Sequence, residues 1–187
     1  MTTYIALLRG VNVGGNNKID MKRLKAEFES RGFANVMTYI NSGNVIFDSD
    51  TQDLSEIKSV CEAVISERFG LTIAVNIISA ADLLDAVSHT PDWWRADKDF
   101  THNAIFVIPP MTAEEACAAV GEVNPENERI ACHGRVIFWS ASLKTYSRTR
   151  WSKVVGNKAV YNAITIRNAN TTVKLAELIN MRKVKGG

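Results

Sequence analysis

Arg9 and Lys18 bracket a run rich in glycine and asparagine, Gly10-Val11-Asn12-Val13-Gly14-Gly15-Asn16-Asn17. Glycine lets backbone N–H groups approach a ligand, and two flanking cations add full charge, so the run has the makings of an anion site. Gly10 and Gly15 match the outer glycines of a phosphate loop, yet Asn16-Asn17 stands where that loop carries Lys and Ser/Thr for phosphate and magnesium. The dinucleotide pattern G-x-G-x-x-G is absent. The competing reading is a scaffold loop, with Gly for turns and Asn for local backbone hydrogen bonds.

A second candidate anion site lies in the last third of the chain. Tyr146-Ser147-Arg148-Thr149-Arg150-Trp151-Ser152-Lys153 combines charge with an indole, a pairing that single-stranded nucleic acid can use through stacking. Further on, Arg167, Asn168, Asn170 and Thr171 gather one guanidinium, two carboxamides and a hydroxyl just ahead of a helical pattern. Two readings compete there. The segment holds an anion, or Asn170 or Thr171 caps the helix while Arg167 pairs with a carboxylate. From Lys144 onward ten Lys and Arg face a single acid, Glu177, although the whole chain carries only +2. Such segregation fits an anionic partner, or neutralisation by the acidic remainder of the same protein.

Catalytic and metal signatures are sparse. His89, His102 and His133 are scattered, with neither H-E-x-x-H nor a Cys–His pattern, and no metal or cofactor is expected. Ser42 precedes a glycine but lacks the G-x-S-x-G elbow. Cys61, Cys117 and Cys132 are odd in number and lack C-x-x-C spacing, which fits buried or incidental thiols and a reducing cytoplasm. No run approaches the ~20 apolar residues of a membrane span. Met1-Thr2-Thr3 leads directly into a strand-like segment rather than a signal peptide, so the expected location is cytoplasmic, with no membrane partner.

The elements that must position these residues follow from periodicity. Tyr4 to Leu8 reads as a strand, and Asp20 caps a helix carrying Met21, Leu24 and Phe28. Val36 to Ile40 and Asn44 to Asp48 flank the hairpin turn Asn41-Ser42-Gly43. Asp53 with Glu56 predicts a capping box for a second helix, and Ile73, Val75 and Ile77 alternate along a last strand. This β-α-β-β-α-β order is the ferredoxin-like arrangement. It sends the loop after strand one and the turn after strand two out of the same end of the sheet. Arg9, Asn12, Gly14, Gly15 and Lys18 should therefore meet Tyr39, Asn41, Ser42 and Asn44.

The pattern then recurs. Gly43-Asn44-Val45-Ile46-Phe47-Asp48-Ser49 and Gly134-Arg135-Val136-Ile137-Phe138-Trp139-Ser140 share G-x-V-I-F-x-S, which points to a tandem duplication. Ala104 to Ile108, a helix opened by Thr112 and Glu115, and a hairpin across His133-Gly134 form the second copy. It ends with a short helix at 150–155, an extended piece at 163–167 and a closing helix at 171–181. The expected fold is α+β, with ferredoxin-like halves at 1–88 and 102–187 joined through 89–101. Trp93 and Trp94 are expected to pack at that junction. A helix from Ala81 to Ser88 precedes it.

Three motifs carry a family resemblance. Leu7-Leu8-Arg9-Gly10-Val11-Asn12-Val13-Gly14-Gly15, Thr38-Tyr39-Ile40-Asn41-Ser42-Gly43-Asn44-Val45 and Arg167-Asn168-x-Asn170-Thr171 resemble the bacterial family of domain of unknown function 1697. The resemblance spans about Tyr4 to Met181 and implies a two-part α+β fold with ferredoxin-like halves, without an assigned activity. It also implies an aromatic residue, usually Trp, at the position of Ala169. The expected function is a binding module for a small phosphorylated anion at the Arg9–Lys18 loop. The alternatives are an enzyme acting on such a ligand, or RNA or single-stranded DNA binding with Tyr4 and Phe47 on the central strands.

Overall fold

Local signals start most helices where expected in the computed structural model, which describes residues 1–185, with side chains through Arg182. The Asp20 carboxylate accepts from Arg23 N and opens α1 (Met21–Ser30), which buries Leu24 and Phe28. Asp53 opens α2 (Leu54–Phe69) by accepting from Ser55 N and Glu56 N. Glu56 does not complete the expected box, because its carboxylate accepts from the Thr51 hydroxyl. The box does form at α4 (Ala113–Val120), between Thr112 and Glu115.

The first unit contains β1 (Thr2–Leu8), β2 (Ala34–Tyr39), β3 (Asn44–Ser49) and β4 (Val75–Ser79), in the order β2-β3-β1-β4 with every pair antiparallel. The second holds β5 (Phe100–Val107), β6 (Glu128–His133), β7 (Val136–Ser142) and β8 (Ile164–Asn168), ordered β6-β7-β5-β8. Helix α3 (Ala80–Ser88) precedes β5, and α6 (Ala169–Lys185) follows β8. The chain divides within α3 into two compact units, Met1–Leu83 and Leu84 onward. Between β7 and β8 lie two 3-10 segments, Tyr146–Arg148 and Trp151–Gly156, and α5 (Lys158–Asn162). Sequence pattern alone predicted neither the first of these turns nor α5.

The shared heptapeptide turns out to be out of phase. In the first unit Tyr4, Ala6, Leu8, Val45 and Phe47 join the core that includes Leu24 of α1 and Ile57 of α2. In the second unit the residues packed with Ala113 and Ala116 of α4 are Ile105, Val107, Ile137 and Trp139. Ala6 pairs with Val45, and Ile105 pairs with Ile137. Val45 therefore corresponds to Ile137, not to the Val136 that the motif would align with it. A one-residue slip sends a strand's side chains to opposite faces, so the two motif copies present opposite faces to their helices. The strand order repeats, but the heptapeptide does not mark equivalent positions.

Trp94 packs within the second unit. Its indole N–H donates to the Asn103 carbonyl at 2.9 Å, and its ring meets Phe138 edge-on at 5.0 Å. No helix among the described residues is long and apolar enough to cross a membrane.

Candidate functional site

The Arg9–Lys18 loop and the β2–β3 turn do meet. Asn12 adopts a left-handed backbone (φ +54°), and its side-chain amide donates to the Asn41 carbonyl at 2.8 Å and the Ile19 carbonyl at 3.0 Å. Its side-chain oxygen accepts from Ile19 N at 2.9 Å. Asn44 is buried and donates to the Tyr39 carbonyl and the Ser42 hydroxyl, both at 3.0 Å. Asn17 donates to the Gly10 carbonyl. The carboxamides of Asn12, Asn17 and Asn44 thus hold the loop and the turn rather than face a ligand. Val13 and Asn16 close a tight turn with Gly14 and Gly15 at its tip, both at positive φ and exposed, as is Lys18. Arg9 is half-buried, and its backbone N–H donates to the Ala74 carbonyl. The Asp20 carboxylate already occupies the start of α1.

The second candidate set divides in two. Arg167 is buried, donates to the Thr165 hydroxyl and the Ile166 carbonyl, and burial pushes its guanidinium down to about 10. Asn168, rather than Asn170 or Thr171, caps α6, since its side-chain oxygen accepts from Thr171 N at 2.7 Å. Thr171 is buried and Asn170 exposed. Trp151 lies in the core of the second unit at 1% exposure, so it offers no ring to a base. Tyr4 and Phe47 pair with each other at 6.2 Å inside the first core, which likewise removes them as a stacking platform.

Arg148, Arg150 and Lys153 remain together, around a cavity of about 340 Å³ that Glu122, Asn124, Asn127 and Glu128 also line. Glu128 is buried and builds the wall. One carboxylate oxygen accepts from Arg150 N, while the other accepts from Trp139 Nε1 at 3.0 Å and Trp151 N at 3.3 Å. Arg150 Nε donates to the Glu122 carbonyl. Arg148 and Lys153 are exposed. Glu128 carries no sequence signal of its own; its role comes from three N–H groups supplied 11, 22 and 23 positions away.

Two further clusters unite residues that the sequence scatters. His89, one position past α3, and His133 at the end of β6 stack their rings at 4.3 Å and 8°. Asp85 lies beside both, and its Oδ2 is 2.6 Å from His133 Nε2. That hydrogen bond holds the Asp85 carboxyl below the ordinary aspartate range. Cys117 of α4 and Cys132 of β6 place their sulfurs 3.4 Å apart.

A family model described as Protein of unknown function (DUF1697) matches residues 1–138. The chain belongs to that family. The solved structure of a conserved bacterial protein from Streptococcus pneumoniae is similar, with a TM-score of 0.83 and 29% identity, covering 95% of this chain and 98% of that one. Among curated proteins nothing matches.

The matched span holds the Arg9–Lys18 loop and the Tyr39–Asn44 turn, and it stops short of Arg148 and Arg167. Ala169, where the family resemblance implied an aromatic ring, is buried at the start of α6.

Proposed function

We propose that this protein binds a small phosphorylated anion in the cavity of its second unit, with Arg148 and Lys153 as the cations that meet the ligand. The observation that carries this reading is the pairing of a fixed wall with two exposed cations. Glu128 and the Arg150 backbone hold the wall in place, while neither Arg148 nor Lys153 has a side-chain partner among the described residues. Asn124 and Asn127 add polar groups to the lining. A rigid frame with loose cations suits a ligand whose charge completes the site. The cavity volume fits a sugar phosphate or nucleotide better than a strand of nucleic acid. The loop at Arg9–Lys18 is the weaker site, because the Asn12 and Asn17 carboxamides already bond backbone.

On the same footing we read the two units as descendants of one ferredoxin-like ancestor. The repeated strand order and matched pairings support this better than the heptapeptide does. We place the protein in the cytoplasm, where Cys61, a thiol in the first core, remains reduced.

Thermal-shift titration with pyrophosphate, nucleotides and sugar phosphates tests the binding site. A ligand held by the folded state alone adds about 2.7 kcal/mol of apparent stability at a hundredfold excess over its Kd. The shift should vanish in the double variant Arg148→Ala/Lys153→Ala and persist in Lys18→Ala. The reverse pattern would return the site to the glycine loop.

A further inference from the structure

The geometry points to a divalent transition-metal site, best suited to Zn2+, formed by Asp85, His89 and His133. It is independent of the anion cavity. Each residue offers one ligand atom, and these atoms lie within 4.8 Å of one another. Two contacts are already closer, with His133 Nε2 at 2.6 Å from Asp85 Oδ2 and His89 Nδ1 at 3.4 Å from Asp85 Oδ1. In a tetrahedral zinc site with bonds of ~2.0–2.2 Å, neighbouring ligand atoms stand about 3.3–3.6 Å apart. The two histidines meet different oxygens of Asp85, and these separations lie on either side of or within reach of that value.

The chemistry of the set favours this ion. Two imidazoles and one carboxylate match borderline-soft zinc, whereas magnesium and calcium prefer oxygen ligands throughout. The two rings already stack at 4.3 Å and 8°, which gathers both imidazoles beside Asp85. Asp85 in α3 and His89 just past its end stand four positions apart and meet at 3.4 Å. The Ser88 hydroxyl at 3.1 Å and the Asp85 carbonyl at 2.9 Å both contact His89 Nδ1, and a metal taken at that nitrogen would replace these two contacts. All three side chains are at least one-third exposed or close to it, at 59%, 56% and 32%, so the ion and a fourth, solvent ligand can enter.

The test is titration of chelator-treated protein with Zn2+ by calorimetry and with Co2+ by visible absorption. We expect one equivalent of Zn2+ and the intense bands of four-coordinate Co2+. Asp85→Asn, His89→Ala and His133→Ala should each weaken binding at least tenfold and remove those bands, while Cys117→Ser/Cys132→Ser retains them. In the unmodified protein, Zn2+ should shift the ring resonances of His89 and His133 and leave His102 unchanged, a readout that needs no variant to fold. Equal binding by all three Asp and His variants, or loss only in the cysteine variant, would overturn the assignment.

Discussion

Asn12 reaches Asn41 across 29 positions of chain, its side-chain amide donating to the Asn41 carbonyl at 2.8 Å. With both contacts to Ile19, the same side chain ties the glycine loop to the β2–β3 turn and to the approach to α1. Asn12→Ala removes three hydrogen bonds and leaves Ala at φ +54°, a conformation Asn tolerates better than Ala. We expect a loss of about 2–3 kcal/mol, since partly exposed hydrogen bonds contribute about 0.5–1.5 kcal/mol each. Lys18→Ala, at the exposed end of the loop, should change stability by less than ~0.5 kcal/mol. Urea unfolding midpoints of the two variants give the comparison. Equal effects would make the loop something other than a scaffold.

The two glycines of the shared heptapeptide should respond differently to alanine. A β-carbon on Gly43 would collide with Val11 Cγ2 and lie 2.7 Å from Leu8 Cβ, whereas at Gly134 it would meet nothing within 4 Å. Both glycines have positive φ. Gly134→Ala should cost only the conformational penalty, about 1–2 kcal/mol. Gly43→Ala adds overpacking in a tight core, about 1–3 kcal/mol more. Thermal unfolding checks the order. A Gly43→Ala protein as stable as Gly134→Ala would mean that Val11 moves aside freely.

Glu128→Gln should loosen the cavity wall. The carboxylate accepts from three N–H groups in a buried place, and the amide would turn one of its oxygens into a donor facing donors. Leaving a buried donor unpaired costs about 1–3 kcal/mol. We expect a destabilisation of that size, with a change in fluorescence from Trp139 and Trp151. An unchanged emission spectrum and melting temperature would show that the wall does not depend on the charge.

Local chemistry was readable in the sequence, and distant chemistry was not. Asp20 before Met21, Thr112 with Glu115, and the Asn41-Ser42-Gly43 turn declare themselves because cap and turn residues act within a few positions. The heptapeptide misled because a strand's pattern does not reveal which face its helix covers. Trp151 looks equally suited to a core and to a nucleic-acid surface until its surroundings are known. His89 and His133 are separated by 44 positions, and only the folding of β6 against the end of α3 brings their rings together. The glycine loop was legible as a place, and Asn12 as one of its polar side chains, but not the partners that side chain takes. Its carboxamide holds backbone because the neighbouring carbonyls, invisible in sequence, are its nearest acceptors.

The three cysteines should react in a fixed order. A hydrogen bond from Cys117 draws the Cys132 thiol below its ordinary value, and the same contact, with burial, pushes Cys117 up. Burial also pushes the Cys61 thiol up, deep in the first core. The thiolate is the reactive form, and Cys132 is the exposed member of the set. Cys132 should therefore alkylate first, its reaction appearing at a pH below that of an ordinary thiol, about 8.5. Cys61 should stay unmodified until the protein unfolds. Because the sulfurs of Cys117 and Cys132 lie 3.4 Å apart, a mild dithiol oxidant such as diamide should join them within one molecule, with loss of two hydrogens. Peptide mapping by mass spectrometry reads both outcomes. Modification of Cys61 at the rate of Cys132 would show that the first core opens far more readily than its packing implies.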